Sequence, residues 1–460
     1  MPGTLPIRNV RIMVSLMTST SPPPAVFSAR YRALSTGITA LIVLVAFEYL
    51  AVATAMPEIG EELRGWGLYS LAFSGPVAAA LVGTVAGGRW GDVSGPDKPL
   101  WTGLAAFVAG LVVAGLAPTM EIFIAGRLIQ GLGGGMFNVA IYVLVARVYP
   151  GAMHPKVFSL LAAAWVLPSV VGPAITGTVT EAWTWRAVFL GVAVLAIPAA
   201  VIFWRGLASR EPHQHEEEKT DTGPFAARLA WGGAAAVGAA VLQYGSDDRN
   251  YPLMAAGLIV LMVALPMLVP AGTLRAARGL PTVVALRGLS MGAFFAAEVL
   301  VPLMLVKERG LSLTEAGIAL TGGALAWSAG SWLQGKYPGG RLLRLWGGHL
   351  LVAAGISVTA LAFLPAVPIW VAFIGWVVCG LGIGMIYPTL SVLVLELSRP
   401  GEEGKNSASL SVGESGMTVV AVAVTGAVLT ATGAYAVCFA LLVVMALAGA
   451  LLSRRVTMEL

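Results

Sequence analysis

Residues 41–59 read Leu-Ile-Val-Leu-Val-Ala-Phe-Glu48-Tyr49-Leu-Ala-Val-Ala-Thr-Ala-Met-Pro57-Glu-Ile. One carboxylate stands inside an apolar run of the length needed to enter a bilayer, about 20 residues. A charge in hydrocarbon is costly unless it is paired, neutralised or turned toward water, so such an acid marks a functional site. Arg127, Glu298 and Glu414 occupy similar settings further along. The whole chain fits that reading. It has 460 residues, 57% hydrophobic and 11% charged, with a mean hydropathy of +0.84. Soluble domains carry about 25% charged residues, so a globular cytosolic enzyme is excluded. Cys379 and Cys438 both lie in apolar runs and read as small buried residues, not as a disulfide framework or metal site.

Between charged or Gly/Pro-rich breaks the chain shows fourteen apolar runs, the first at 34–56 and the last at 433–453. The seventh and eighth, 226–245 and 252–271, are short and joined by Gly245-Ser-Asp-Asp-Arg-Asn250; without them the count is twelve and the orientation is the same. Positive charge tests the assignment. Of 28 Lys and Arg, 22 fall on the side of the N-terminus, Arg287 counted among them, and five fall opposite, with Arg127 inside a span. Cytoplasmic loops are the ones enriched in Lys and Arg, so both termini are expected in the cytoplasm of a multi-pass bacterial inner-membrane protein. Residues 1–33 are expected to form a disordered cytoplasmic tail, with Met17 as an alternative start. The run that follows is too long for a cleavable signal. The polar interval 206–225 reads as an acidic linker despite His213 and His215. The expected architecture is all-α: a six-helix bundle at 34–205, the linker, two linker helices at 226–271, a second six-helix bundle at 281–453 and a tail at 454–460. Paired halves around a central path are a common transporter plan.

Four motifs sharpen this. Gly88-Arg-Trp-Gly-Asp92-Val-Ser-Gly95-Pro-Asp-Lys98 follows the second span. There Gly88 permits close helix approach, Asp92 can cap a helix or pair with an Arg, and Gly95 makes the turn. The fourth span holds Arg127-Leu-Ile-Gln130-Gly131-Leu-Gly-Gly-Gly135, with Asn138 eleven residues after the Arg. On an ideal helix that places Asn138 about 20° from Arg127. The fifth span holds Pro168-Ser-Val-Val-Gly172-Pro173-Ala-Ile-Thr-Gly177, where Gly172-Pro173 removes a backbone hydrogen bond and permits a kink. Trp183-Thr-Trp185-Arg186-Ala-Val-Phe189 opens the sixth.

Together these resemble the signatures of the major facilitator superfamily. They are similar to its G-x-x-x-D-x-x-G loop, its R-x-x-Q-G helix and the G-x-x-x-G-P motif of its antiporter branch. The first span resembles that of the fourteen-helix drug:H⁺ antiporter-2 group, with Glu48 nine residues before Pro57 where those proteins carry Asp. The resemblance covers roughly residues 41–189. It implies the major facilitator fold and a proton-coupled antiporter exporting amphipathic or cationic drugs, with Glu48 and Arg127 handling protons. Glu298 and Glu414, outside the stretch that carries the resemblance, are added as proton-coupling residues because they too are acids inside apolar runs. The bland reading of Arg127 is a side chain snorkelling to the interface.

A carboxyl favours its neutral form when buried and its charged form beside a guanidinium, so one held between those influences can change protonation as a cavity opens alternately to each side. Substrate contacts are expected from Tyr49, Phe137, Asn138, Trp165, Phe294, Phe295, Trp327 and Tyr387. The expected partners are a small hydrophobic or amphipathic substrate, protons and membrane lipids, with no nucleic acid, for a monomer without cofactor or metal. Two other readings are an exporter of an endogenous lipid or metabolite (or an importer), and a polytopic membrane enzyme. The enzyme is disfavoured because no D-D-x-x-D or H-E-x-x-H occurs and the four His are scattered.

Overall fold

The computed structural model describes residues 25–65, 68–208, 225–247, 250–311, 313–337 and 340–456. The expectations for residues 1–24, for 209–224 with His213 and His215, for Asp248 and Arg249, and for 457–460 lie outside the described residues. Within them the chain forms fifteen α-helices and no strand. They are α1 (Arg32–Glu62), α2 (Tyr69–Ser94), α3 (Asp97–Gly115), α4 (Met120–Val148), α5 (His154–Ala163), α6 (Val166–Ala182), α7 (Trp185–Ala208), α8 (Phe225–Asp247) and α9 (Tyr251–Leu268). The second half holds α10 (Leu280–Arg309), α11 (Leu313–Lys336), α12 (Arg341–Leu361), α13 (Trp370–Glu396), α14 (Glu403–Thr432) and α15 (Tyr435–Leu452). Among the described residues twelve segments are long and apolar enough to cross a membrane, with α5 and α6 together forming one of them. The helices α2 and α11, of 26 and 24 residues, complete an up-and-down series of fourteen spans. The face at which α1 starts and α2 turns into α3 is called the lower face below.

The two six-helix bundles repeat one pattern of contacts. In the first, α1 packs on α7, α2 on α4, and α3 on both α4 and α7. In the second, α10 packs on α15, α11 on α13, and α12 on both α13 and α15. The bundles meet where α2 lies against α14 and α5 against α11. The linker helices α8 and α9 pair with each other and cover the α2–α14 seam from the side.

Lipid tails are as apolar as leucine, so close packing replaces the hydrophobic effect as the force that holds such helices, and small residues allow it. A Cβ on Gly131 or Gly135 would lie 2.1 Å from the Pro76 carbonyl oxygen or 2.2 Å from that of Ala80. In the second bundle a Cβ on Gly380 or Gly384 would lie 2.1 Å from the carbonyl of Gly323 or Trp327. No side chain fits at those separations, so α4 and α13 press on α2 and α11 through glycine alone.

Three boundaries differ from the sequence expectation. The expected disordered tail 1–33 does not extend over residues 25–33, where the Val26 carbonyl accepts from Ser35 Oγ at 2.8 Å and buried Tyr31 stacks on Tyr149 at 5.1 Å. The first span does not end at Met56, because α1 continues through Pro57 to Glu62. A proline removes one donor, which one lost bond in a long helix can tolerate, and Glu62 is held by Trp185 Nε1 at 2.6 Å and by Arg186. That Arg186 bond also holds the Glu62 carboxyl below the usual carboxylate range. The fifth span is broken at Ala164–Trp165, not at Gly172-Pro173. Pro168 lacks the N–H that would bond the Ala164 carbonyl, and its ring crowds that oxygen. Pro173 is carried inside α6 without a break.

Candidate functional site

Polar contacts that join the bundles cluster in the lower half. Asp92 at the end of α2 accepts the backbone N–H groups of Gly404 and Lys405 at 2.6 and 2.7 Å. Those are orphan donors in the first turn of α14, where the helix dipole also favours an anion. Gly88 sits so close that a Cβ would meet the Gly404 carbonyl at 2.6 Å. Gly95 takes φ +79° in the turn that follows. Ser159 of α5 donates to the Ser331 carbonyl and to Gln334 of α11. Tyr142 of α4 and Ser391 of α13 lie 3.1 Å apart across the midline. The central cleft is closed below by these bonds. Higher up, Tyr49 and Trp165 stand 57% and 42% exposed although both lie within spans.

In the upper half of the first bundle, Arg127 Nη1 donates to both Glu48 and, at 2.7 Å, Gln130 Oε1. Glu48 and Arg127 are 4% and 5% exposed, so Arg127 does not snorkel to the surface. The pair links α1 to α4, and Gln130 sits one turn along α4 to fix the guanidinium. Burying both charges is tolerable only with such pairing.

Glu298 of α10 is different. It is partly exposed and makes no hydrogen bond or ion pair with a described residue. The Tyr49 hydroxyl, from the other bundle, and Cys379 of α13 lie within electrostatic range of it. Its carboxyl therefore faces the cleft. Asn138 is also exposed, on the side of α4 that carries Arg127.

The second ion pair was half visible in the sequence. Glu414 of α14 accepts from Arg287 Nε at 2.7 Å. Arg287 had been counted with the inner loops; it is a fully buried residue of α10, 1% exposed. It also donates to the Tyr387 carbonyl at 2.8 Å and to Ser391 Oγ at 3.3 Å, and lies 3.2 Å above the Tyr387 ring. Through Ser391 this centre reaches Tyr142 of the first bundle. A basic residue seven positions into a span, with an acid two helices from the C-terminus, was the signal for it. The charge asymmetry across the membrane stands without Arg287.

Of the expected substrate residues, Phe294, Phe295, Trp327 and Tyr387 form one aromatic cluster. Trp327 lies 5.3 Å from Phe294, 6.4 Å from Phe295 and 5.6 Å from Tyr387. Phe294 itself is only 2% exposed and stacks at 5.0 Å on Trp376, which the sequence reading missed, so it backs the cluster and does not line the cleft. Tyr49 and Trp165 make a second pair at 6.0 Å. Phe137 is 3% exposed, turned into the α3–α4 core, because its neighbours Gly103 and Gly133 bring those helices together. The motif residues also divide. Gly131 is required by close packing, as above. A Cβ on Gly172 would meet Phe47 at an ordinary 3.7 Å, and one on Gly177 would meet nothing within 4 Å. Neither position therefore requires a glycine for close helix approach in this arrangement. Lys98 is exposed and makes no contact with Asp92 or α14.

A cleft between two six-helix bundles, closed at one face and lined by ionisable groups at mid-membrane depth, defines a secondary-transporter class of membrane protein. The Major Facilitator Superfamily model matches residues 38–333 and 283–458, and the chain belongs to that family of transporters, not to an enzyme family. It is 28% identical over 184 residues to an uncharacterized MFS-type transporter of Mycobacterium tuberculosis, covering 39% of this chain and 27% of that one. It is 27% identical over 198 residues to Multidrug resistance protein 3 of Bacillus subtilis, covering 43% of this chain and 36% of that one. The matched stretches thus span about a third of those relatives. Among solved structures, the human organic anion transporter MFSD10 superposes with a TM-score of 0.71 at 14% identity, over 93% of this chain and 100% of that chain. The transporter FucP in its outward conformation gives 0.67 at 14% identity, over 92% and 99%.

Proposed function

We propose that this chain is a proton-coupled antiporter that exports amphipathic or cationic compounds across a bacterial inner membrane, in the manner of the fourteen-helix drug:H⁺ antiporters. The observation that carries the reading is the contrast between two acids at similar depth. Glu48 is paired with Arg127, whose guanidinium Gln130 also holds, whereas Glu298 faces the cleft with no hydrogen-bond or ion-pair partner among the described residues. In this scheme the lower face is cytoplasmic, the chain works as a monomer of bundles 34–205 and 281–453, and the structure corresponds to a cleft open to the outside.

Entry of a proton from outside neutralises Glu48 or Glu298. Neutral Glu48 releases Arg127, and neutral Glu298 releases a cation held against it. The lower bonds then part and the cleft reopens to the cytoplasm, where the proton leaves. Glu414 follows by a different route, because separating the bundles breaks the Tyr142–Ser391 contact that leads to Arg287. The substrate lies between Tyr49, Trp165 and Asn138 on one side and Phe295, Trp327 and Tyr387 on the other. The multidrug name of a Bacillus subtilis relative supports this cargo class.

The test is transport of a cationic dye in sealed vesicles under an imposed pH gradient. Glu48→Gln keeps shape but cannot change charge, so it abolishes gradient-driven transport at normal protein levels. Full gradient-driven transport by that variant removes Glu48 from the coupling. Arg127→Lys folds but loses most transport, because one ammonium nitrogen cannot replace the rigid guanidinium plane that donates from Nη1 to Glu48 and Gln130 and from Nε to the Ala72 carbonyl.

A further inference from the structure

Between α3 and α7, on the outer wall of the first bundle, runs a groove of about 670 Å³. Trp101, Leu104 and Val108 line it from α3, and Ile197, Val201 and Trp204 from α7. Its wall is apolar and its volume lies within the ~300–1,000 Å³ of ligand sites. It is no part of the central cleft, since Trp101, Val201 and Trp204 belong to helix faces turned away from Glu48 and Glu298. From Trp101 to Val108 the groove follows α3 for about 10 Å, the depth of one leaflet's inner chain region.

The register of both helices continues past the apolar wall into charge. Lys98 is three residues before Trp101 and seven before Ala105, so it extends the α3 stripe by one turn. Arg205 is four residues after Val201 and extends the α7 stripe in the same way. Both side chains are exposed, and neither has a hydrogen bond or ion pair with a described residue. Both stand at the lower mouth of the groove, because α3 begins at Asp97 and α7 ends at Ala208. Two tryptophans flank the mouth where apolar wall gives way to charge, the position in which indole rings mark a membrane interface. Trp101 is fixed there by Phe203 at 5.6 Å.

We propose that this groove is a binding site for one anionic phospholipid, its acyl chain along α3 and α7 and its phosphate between Lys98 and Arg205. A zwitterionic lipid fills the same wall but brings its own cation to a mouth that already holds two. The site therefore selects by headgroup charge. The charge complementarity also explains why two cations without a partner among the described residues stand beside a surface of tryptophan and aliphatic side chains. The proposal does not depend on the cargo or on proton coupling, only on the chain lying in a bilayer.

The experiment is native mass spectrometry of the full chain released from micelles containing equal amounts of phosphatidylglycerol and phosphatidylcholine with identical acyl chains. The expected result is one retained lipid with phosphatidylglycerol favoured. Each of Lys98→Gln and Arg205→Gln lowers that preference about five-fold, and the double variant abolishes it. Ala105→Phe fills an exposed part of the groove wall and lowers retention of both lipids while the headgroup preference of what remains persists. Equal retention of the two lipids by the unaltered chain overturns the proposal, and so does a preference unchanged in the double variant. A dimer cross-linked through Cys introduced at position 105 in liposomes also overturns it, since a second copy then covers the groove.

Discussion

The two bundles share a scaffold and differ in their charges. Gly131-Leu-Gly-Gly-Gly135-Met136 in α4 and Gly380-Leu-Gly-Ile-Gly384-Met385 in α13 stand at corresponding places and press on α2 and α11 through the same two carbonyl contacts. Four residues before each repeat, the first bundle has Arg127 and the second has Trp376. One residue before, Gln130 stands in the first and Cys379 in the second. Glu48 in α1 and Glu298 in α10 are the matching acids. The first acid finds a guanidinium on α4, whereas the second has on α13 only the Cys379 thiol within electrostatic range. The second bundle places its arginine elsewhere, at Arg287, about 16 Å below Glu298 along α10, where Glu414 and the Tyr387 ring hold it. Duplicated backbone packing thus supports a closed ion pair in one half and an open carboxylate in the other, and this asymmetry gives a symmetric frame two unlike sites.

The comparison is broken most severely by removing a buried charge. Arg287→Met leaves Glu414 and the Tyr387 carbonyl without their shared donor and costs about 3–5 kcal/mol of stability. Thermal unfolding in detergent measures it. Glu414→Gln in the same background restores most of the loss, because a neutral amide needs no counter-charge. An Arg287→Met protein as stable as the parent removes this centre from the structural frame.

Glu298→Gln separates the two acids. With Glu298 open to the cleft, the amide lowers transport of a cationic dye roughly ten-fold or more and leaves folding intact, because no partner is orphaned. An uncharged dye of similar size is affected far less. Equal losses for the charged and the neutral dye would make Glu298 a coupling acid and not a recognition acid.

Much of this was legible in the residues. The polarity of the chain, the fourteen runs and the four signatures set the fold and singled out Glu48 and Arg127, because a cost in hydrocarbon leaves a charge few places to go. That Gln130 joins them shows only in the structure. What stayed hidden depended on azimuth, which composition does not carry. Phe137 and Trp165 are both aromatic residues in spans, yet one faces a helix seam and the other the cleft. Arg287 was read as a loop cation because it lies only a short way into its span. The internal repeat at 131–136 and 380–385 was present in the sequence, and aligning the halves on it would have shown that Glu298 lacks an arginine. The broken fifth span followed from Pro168, whose missing N–H matters more than the Gly172-Pro173 pair beside it.

A smaller effect tests the lower closure. Asp92→Asn keeps the shape of the α14 cap but removes its charge, weakening two charge-assisted bonds by about 1–2 kcal/mol in total. The balance between a cleft closed below and one open below then shifts about five- to thirty-fold. A Cys at Ala408, which is 2% exposed and packed against Gly88, reports that opening through its alkylation rate. An unchanged rate means that Asp92 caps α14 without holding the bundles together.

The smallest effect distinguishes two kinds of glycine within the motifs. Gly131→Ala must push its Cβ into the Pro76 carbonyl at 2.1 Å, so α2 and α4 separate and the protein loses stability. Gly177→Ala meets nothing within 4 Å and sits inside α6, where alanine is the better helix former by up to about 1 kcal/mol. The expected outcome is an unfolding temperature equal to or slightly above the parent's, with transport changed less than about two-fold by so small a stability gain. A Gly177→Ala protein that is stable but inactive would be the informative failure. It would mean that the open face of α6 closes onto another helix when the cleft reverses, and that the glycine serves a state in which the first bundle packs differently from the one described.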